Sequence, residues 1–258
     1  MKKNIFLLRT GSLALFLLLL FSALALISSR NKFVSHKKIA GEKIVVMELF
    51  TSQGCSSCPP ADALLGEYVA ARDNHIIALS FHVDYWNRLG WADPFSNSEY
   101  SARQQHYNEH FPQHSVYTQQ LVVNGMEETV GNNRSAVKKL VEKELAEKQQ
   151  ENILIEEVIT GKNSVSFHYK AAGNHPGEVL NIALVQKQIT TKIKAGENEG
   201  IAITNYNIVR AFITQPLNND GMGLITLPPS FKPADYSLVV YVQNKKDLSI
   251  NAAALNEL

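Results

Sequence analysis

The only two cysteines of the chain, Cys55 and Cys58, stand three positions apart where an apolar run, Ile44-Val45-Val46-Met47-Glu48-Leu49-Phe50, gives way to a helical pattern. Two thiols at that spacing close one small ring that reopens easily, so the pair reads as a thiol–disulfide redox motif. The strand before it and the helix after it must meet at one edge of a layered α/β structure, a strong constraint on the fold.

The pattern around the pair extends that constraint. Residues 61–71 carry Leu64, Leu65, Tyr68 and Val69 at helical spacing, with Pro59-Pro60 at the start, where amides have no intrahelical partner to lose. Residues 75–83 read as a second buried strand, 96–111 as a polar helix stopped by Pro112, and 120–124 as a short strand ending in the turn pair Asn124-Gly125. Residues 135–150 form a charged helix capped by Ser135, with Val137, Leu140, Val141 and Leu145 as its apolar stripe. This alternation predicts an α/β domain over residues 40–150 with adjacent parallel strands. Past residue 150 the helical patterns stop. Strand-like segments at 153–160, 164–170, 178–186, 201–213, 222–227, 236–243 and 248–253 follow one another between Gly, Asn and Pro turns. They predict an all-β antiparallel sandwich over residues 151–258, with a domain boundary near Lys148-Gln149-Gln150-Glu151.

Residues 1–30 have a basic start and an apolar stretch from Leu13 to Ile27, interrupted only by Ser22, which reads as an export signal with Ala23-Leu24-Ala25 as a cleavage site. Arg30, Lys32, Lys37 and Lys38 follow the stretch, so an uncleaved membrane tether through residues 11–27 stands as the second reading. In both, the body lies outside the cytoplasm, periplasmic or in the cell envelope, where a lone cysteine pair is either a disulfide or a disulfide handler. Without Lys2, Lys3 and Arg9, 22 basic groups face 24 acidic ones, which leaves no basic stripe for nucleic acid. The 258 residues, 45% hydrophobic and 19% charged, are those of a folded globular chain.

Exchange chemistry needs one sulfur held as a thiolate, and a cysteine just before a helix faces the unpaired first-turn amides and the positive end of the helix dipole. Cys55 is therefore the expected nucleophile and Cys58 the resolving thiol. Two other readings remain open: a structural staple, or a soft-metal site in which Cys55, Cys58 and His82 hold copper(I) for delivery. His82, Asp84, Tyr85 and Trp86 follow the second strand, whose end shares an edge with the cysteines, so His82 and Asp84 are candidates for proton transfer and Trp86 for a hydrophobic plug. Glu48, alone in an apolar strand, is a candidate buried carboxylate near the thiols. The string His106-Tyr107-Asn108-Glu109-His110 matches an inverted zinc-peptidase motif but lacks its context, and Arg210 reads as a structural anchor.

Longer strings carry a resemblance. Glu48 to Asp62 (ELFTSQGCSSCPPAD), Phe81 to Trp86 with Leu89 to Phe95, Val122 to Gly125, Ala195 to Gly200 and Asn207 to Arg210 resemble the exported proteins of the domain of unknown function 1223 family. The resemblance spans nearly all of the chain after the signal. It implies a thioredoxin-like fold for the first domain and export, and it assigns no reaction. In thioredoxin-like proteins a cis-proline faces the cysteines; here Thr118-Gln119-Gln120 stands in that segment, with Gln119 at the proline position. A cis bond before a non-proline residue costs about 2.5–4 kcal/mol, so a trans bond is expected. The combined expectation is an exported thiol–disulfide exchange protein without a cofactor, acting on protein thiols or disulfides of the envelope. His82, Asp84, Trp86, Thr118, Gln119 and Glu48 would line its cleft, and an envelope scaffold with an inert disulfide is a further alternative.

Overall fold

A computed structural model describes residues 43–148, 151–173 and 175–258. The export signal or tether expected over residues 1–30 lies outside them. Strand β1 (Val45–Thr51) is buried at every position and pairs in parallel with β2 (Ile76–His82), with Thr51 opposite His82. Helix α1 (Pro59–Ala71) connects the two; both prolines sit in its first turn. Helix α2 (Ser98–Asn108) follows, capped by Asn97, whose side chain accepts from the Glu99 amide. Strand β3 (Gln120–Val123) runs antiparallel to β1, correcting the expected all-parallel order, and turns through Asn124-Gly125 into β4 (Glu127–Val130), which the sequence reading missed. Two adjacent glutamates begin β4 and half-expose it, which hides its periodicity. Helix α3 (Arg134–Ala146) is capped by the side chain of Asn133 rather than by Ser135.

All seven expected strands of the second half are present: β5 (Asn152–Thr160), β6 (Ser164–Ala172), β7 (Glu178–Lys192), β8 (Ala202–Pro216), β9 (Asp220–Thr226), β10 (Tyr236–Asn244) and β11 (Ile250–Glu257). They do not form a separate domain. Strand β8 lies parallel beside β2, with Ile208 opposite Ser80, and the result is one eight-stranded mixed sheet in the order β11-β10-β7-β8-β2-β1-β3-β4. The chain from Gly41 onward is one compact unit, so the boundary expected near residue 150 is only a crossing point. What looked like a complete sandwich is a three-stranded sheet, β5-β6-β9, laid on the β7, β10 and β11 end of the large one.

Alternation along β7 and β10 explains the layers. Leu180, Ile182, Leu184, Leu238, Val240 and Val242 face the small sheet, while Ala183, Val185, Val239 and Tyr241 join Phe50, Phe81 and the α2 tyrosines Tyr100 and Tyr107 on the opposite face. At the other end of the sheet, Val45, Met47 and Leu49 pack against α1 and α3. Each wholly buried side chain of this kind contributes about 1.5–3 kcal/mol. Because α2's face is shared by strands from both halves of the chain, neither half can bury its own core alone. Among the described residues, no helix is long and apolar enough to cross a membrane.

Candidate functional site

The cysteine loop leaves β1 at Thr51 and enters α1 at Pro59. Cys55 and Cys58 form a disulfide with Cα atoms 5.5 Å apart, and neither residue has any solvent-accessible surface, although Ser56 and Ser57 between them are exposed. Cys58, not Cys55, is the residue that caps α1. The first two helical positions are prolines and have no N–H to offer, and the next two amides, of Ala61 and Asp62, both donate to the Cys58 carbonyl. The expected cradle of free first-turn amides for Cys55 is thereby corrected. Its sulfur instead lies 3.3 Å from the Ser57 hydroxyl.

Below the loop is a buried polar cluster. Asp62, one turn into α1, accepts from the Thr51 hydroxyl at 3.1 Å. Burial, only partly offset by the His82 charge, raises its carboxyl to about 7. His82 Nδ1 is 2.7 Å from Asp93 Oδ2, both side chains having no exposure. Burial opposes charge on the imidazole, yet the Asp93 carboxylate outweighs it and holds His82 above its ordinary value. Asp93 also accepts from the backbone amides of Gln53 at 2.8 Å and Phe95 at 2.9 Å; burial works against its charge, but His82 and these amides together hold it below the usual carboxylate range. Among the described residues, Asp62 Oδ1 and His82 Nε2 are buried without a close hydrogen-bond partner, and the Asn205 side chain acts to hold the Asp62 carboxyl down. The Gln53 side chain donates to Asn205 Oδ1 and accepts from the Trp91 indole, tying the loop to β8.

A second element reaches the loop from the far half of the chain. The turn between β7 and β8 brings Asn198 to the cysteines, where its side-chain amide donates to the carbonyls of Gln53 and Cys55, each at 2.9 Å. Glu197 accepts from the Ser56 amide at 3.0 Å.

The other sequence candidates divide. His82 is in the cluster, and Trp86 packs on Gly54, where an added Cβ would lie 3.3 Å from the Trp86 Cβ. The Thr118–Gln119 bond is cis, correcting the expected trans form. The Gln119 carbonyl accepts from Gly131, which itself lies against Ala61 of α1, so the segment does border the cysteine helix. Asp84 is not in the cluster: it holds α2, accepting from the Ser101 hydroxyl at 2.5 Å. Glu48 is buried but belongs elsewhere, bound by Arg103, Tyr107 and Tyr241. Arg210 is the anchor expected, sitting in the β7–β8 bulge over the Phe95 ring at 4.9 Å and bonded to Gln186. His106 pairs with exposed Glu109 and meets the His110 ring edge to face, at 5.2 Å between centroids.

Among the described residues, the cysteine pair and His82 do not form a metal-type ligand group. The group whose ligand atoms do converge is Glu151, His175 and Glu178, at the junction of β5, β6 and β7. There His175 Nδ1 lies 3.3 and 2.8 Å from the two carboxyl groups, and Asn251 of β11 holds the second oxygen of Glu178, so the group clasps the two sheets together.

Asp62, Asp93, Gln53, Glu197 and Asn198 are the site residues that sequence reasoning did not single out. For Asp62 a signal existed: it lies four positions after Cys58, on the same helical face. For Asn198 none did, because its contact spans 143 residues.

A family profile described as "Protein of unknown function (DUF1223)" matches residues 46–243, from the second residue of β1 through nearly all of β10. The chain belongs to the DUF1223 family. A crystal structure of a protein from Agrobacterium tumefaciens is similar to it, with 28% identity and a TM-score of 0.63 over 84% of this chain and 97% of that one. A domain of the outer membrane lipoprotein Omp28 from Porphyromonas gingivalis aligns at 15% identity and a TM-score of 0.27, over 42% of this chain and 88% of that one, too low to bear on the fold. Comparison with curated proteins finds no significant match. The DUF1223 match covers the cysteine loop, the buried cluster and the β7–β8 turn together.

Proposed function

We propose that this DUF1223 protein is an exported thiol–disulfide exchange protein whose first half is thioredoxin-like, acting on protein thiols or disulfides in the periplasm or cell envelope. The observation that carries the reading is the placement of Asp62: a wholly buried carboxyl near neutral pKa, one turn past Cys58, is a proton acceptor matched to a thiol at ambient pH. A staple has no use for such a group.

In the reducing direction, the Cys55 thiolate attacks one sulfur of a substrate disulfide. That S–S bond breaks, a mixed disulfide forms, and the first substrate sulfur leaves as a thiolate that takes a proton from water. The Cys58 thiol then passes its proton to the Asp62 carboxylate and attacks the Cys55 sulfur. The second substrate thiolate departs, and the protein is left as the Cys55–Cys58 disulfide. Run backward, the same steps oxidise a substrate dithiol. His82, held by Asp93 and raised above its ordinary value, stands near Asp62 and is a positioning residue in this scheme. Residues 1–30 supply export, as a cleaved signal or as a tether.

Insulin reduction driven by dithiothreitol tests the reading. The wild-type chain is expected to speed precipitation of the insulin B chain at least tenfold over dithiothreitol alone, and Cys55→Ala to return the rate to that background. Equal rates for the two proteins would remove the exchange reading and leave the inert crosslink, which the complete burial of both cysteines favours.

A further inference from the structure

We propose that the turn between β7 and β8, residues 195–200, is a latch that closes over the disulfide and gates access to it, a regulation that rests on the exchange reading above. The starting point is a mismatch of exposure. Ser56 and Ser57 face solvent while the two cysteines flanking them have none, so the cover over the sulfurs comes from other parts of the chain.

The turn makes the bonds that such a cover needs. A primary amide has two N–H donors, and Asn198 uses its side-chain nitrogen on two carbonyls of the cysteine loop, those of Gln53 and Cys55. Its neighbour Glu197 accepts from Ser56, and hydrogen bonds from Ser56 hold the Glu197 carboxyl below its ordinary value. Two adjacent residues thus make three bonds to three residues of a loop more than 140 positions away in sequence. Asn198 is 5% exposed despite sitting in a turn.

The turn is also built to move as a unit. Gly196 (φ 78°) and Gly200 (φ 87°) bracket residues 197–199 in backbone conformations that other residues rarely adopt. Below them, Ile193 N bonds to Ile201 O and Gly200 N to Ile193 O, closing the hairpin independently of the cysteine loop. Rotation at the two glycines can lift Glu197 and Asn198, breaking the 3.3 Å bond from Ile201 N to the Asn198 carbonyl, while the β7–β8 ladder from Lys192 and Ala202 onward stays paired. Gly196 also packs beside Trp91 and the Leu89 carbonyl, each 3.3 Å from where a Cβ would lie, so the closed turn rests on the segment that carries Asp93.

In the closed form the disulfide is shielded from small thiols. A polypeptide that pairs with the cysteine loop can supply the differential binding that favours the open form, and a free small thiol offers no comparable contact. The latch thus selects polypeptide-borne thiols and disulfides over free ones.

The experiment measures the rate at which dithiothreitol reduces the Cys55–Cys58 disulfide in the folded full chain, read by alkylation and mass, with circular dichroism confirming the fold. Asn198→Ala is expected to speed reduction about tenfold or more, Asn198→Asp to do the same because a carboxylate cannot donate, and Glu197→Gln to fall between. Wild-type hydrogen exchange supplies a readout without substitution: residues 53–58 and 197–199 are expected to open together, at one rate. Unchanged reduction by Asn198→Ala, or independent opening of the two segments, would overturn the latch. Insulin reduction separates the two proposals. A latch variant that is reduced faster while no variant turns over insulin sinks the exchange reading and keeps the latch, and insulin turnover by the wild type with unchanged dithiothreitol reduction of Asn198→Ala does the reverse.

Discussion

Arg103→Met is expected to destabilise the protein by about 3–5 kcal/mol, lowering a single unfolding transition. Arg103, on α2, donates to both oxygens of Glu48 at 2.8 and 3.0 Å, to the Tyr107 hydroxyl at 2.8 Å and to the Gln243 side chain at 3.1 Å. Glu48 accepts in addition from the Tyr107 and Tyr241 hydroxyls, each at 2.5 Å. Burial pushes both phenols far above their ordinary range, so they stay neutral donors. The guanidinium is also surrounded by aromatic rings, with Tyr107 and Phe212 centroids at 4.9 Å and Phe81 and Tyr241 at 5.7 Å. Methionine keeps much of the packing and removes the charge, which leaves the Glu48 carboxyl in the core without its cationic partner. Replacing Glu48 as well removes that orphan, so Glu48→Gln with Arg103→Met is expected to lose less than the sum of the single losses. Urea unfolding followed by circular dichroism measures all three. Since domains of this kind hold only about 5–15 kcal/mol in total, a loss under 1 kcal/mol by Arg103→Met would show that the pair is not a keystone of the core. The network joins β1 and α2 to β10, so both halves of the chain are expected to unfold together; two separated transitions would contradict the continuous sheet.

Asp62→Asn is expected to make the protein more stable than wild type at pH 8 and to bring the two closer at pH 5. The Asp62 carboxyl rises from 3.8 to about 7 on folding. Between those values the unfolded chain has released a proton that the folded chain still holds, so stability falls as pH rises and continues to fall until the folded carboxyl titrates near 7. At about 1.4 kcal/mol per unit, the loss from pH 5 to pH 7 is about 2–3 kcal/mol. Asparagine keeps an oxygen for the Thr51 hydroxyl and cannot ionise, so it removes that slope. His82, also raised on folding, chiefly by Asp93 and in smaller part by Asp62, loses stability in the same direction above its ordinary 6.5. The difference between wild type and Asp62→Asn, from urea melts at pH 5 and pH 8, therefore reports the carboxyl together with its coupling to His82. A difference that does not change with pH would place the Asp62 pKa at its ordinary value and remove the proton acceptor from the exchange scheme. In that scheme the same substitution is expected to slow the Cys58 step, measured as accumulation of the mixed disulfide. A gain in stability with a loss in exchange is the signature of a group kept for chemistry.

Much of the local structure was legible from residues alone. The run of residues 44–50 is a strand because it is short, apolar and rich in β-branched residues, and α1 begins at Pro59 because proline tolerates only the first turn of a helix. The seven later strands were readable from alternation and turn residues, since those signals act over two to ten positions. The candidate site was legible at Cys55, Cys58 and His82. Asp84 and Glu48 went astray because adjacency to a strand end, or polarity within a strand, does not say which face a side chain takes or what stands opposite it. Glu48 meets Arg103 and two tyrosines on the α2 face, and Asp84 turns to Ser101.

By itself, then, the sequence determined the elements and the cysteine chemistry on offer, because hydrogen bonding along the backbone and the spacing of apolar side chains are local. Tertiary structure alone decided that the halves form one sheet through Ile208 and Ser80, that burial raises the Asp62 carboxyl to about 7, and that Asn198 binds the carbonyls of Gln53 and Cys55. Each of these depends on what lies across a buried contact from residues far along the chain. Burial and electrostatic coupling are properties of that assembled surrounding, and no short stretch of sequence contains it.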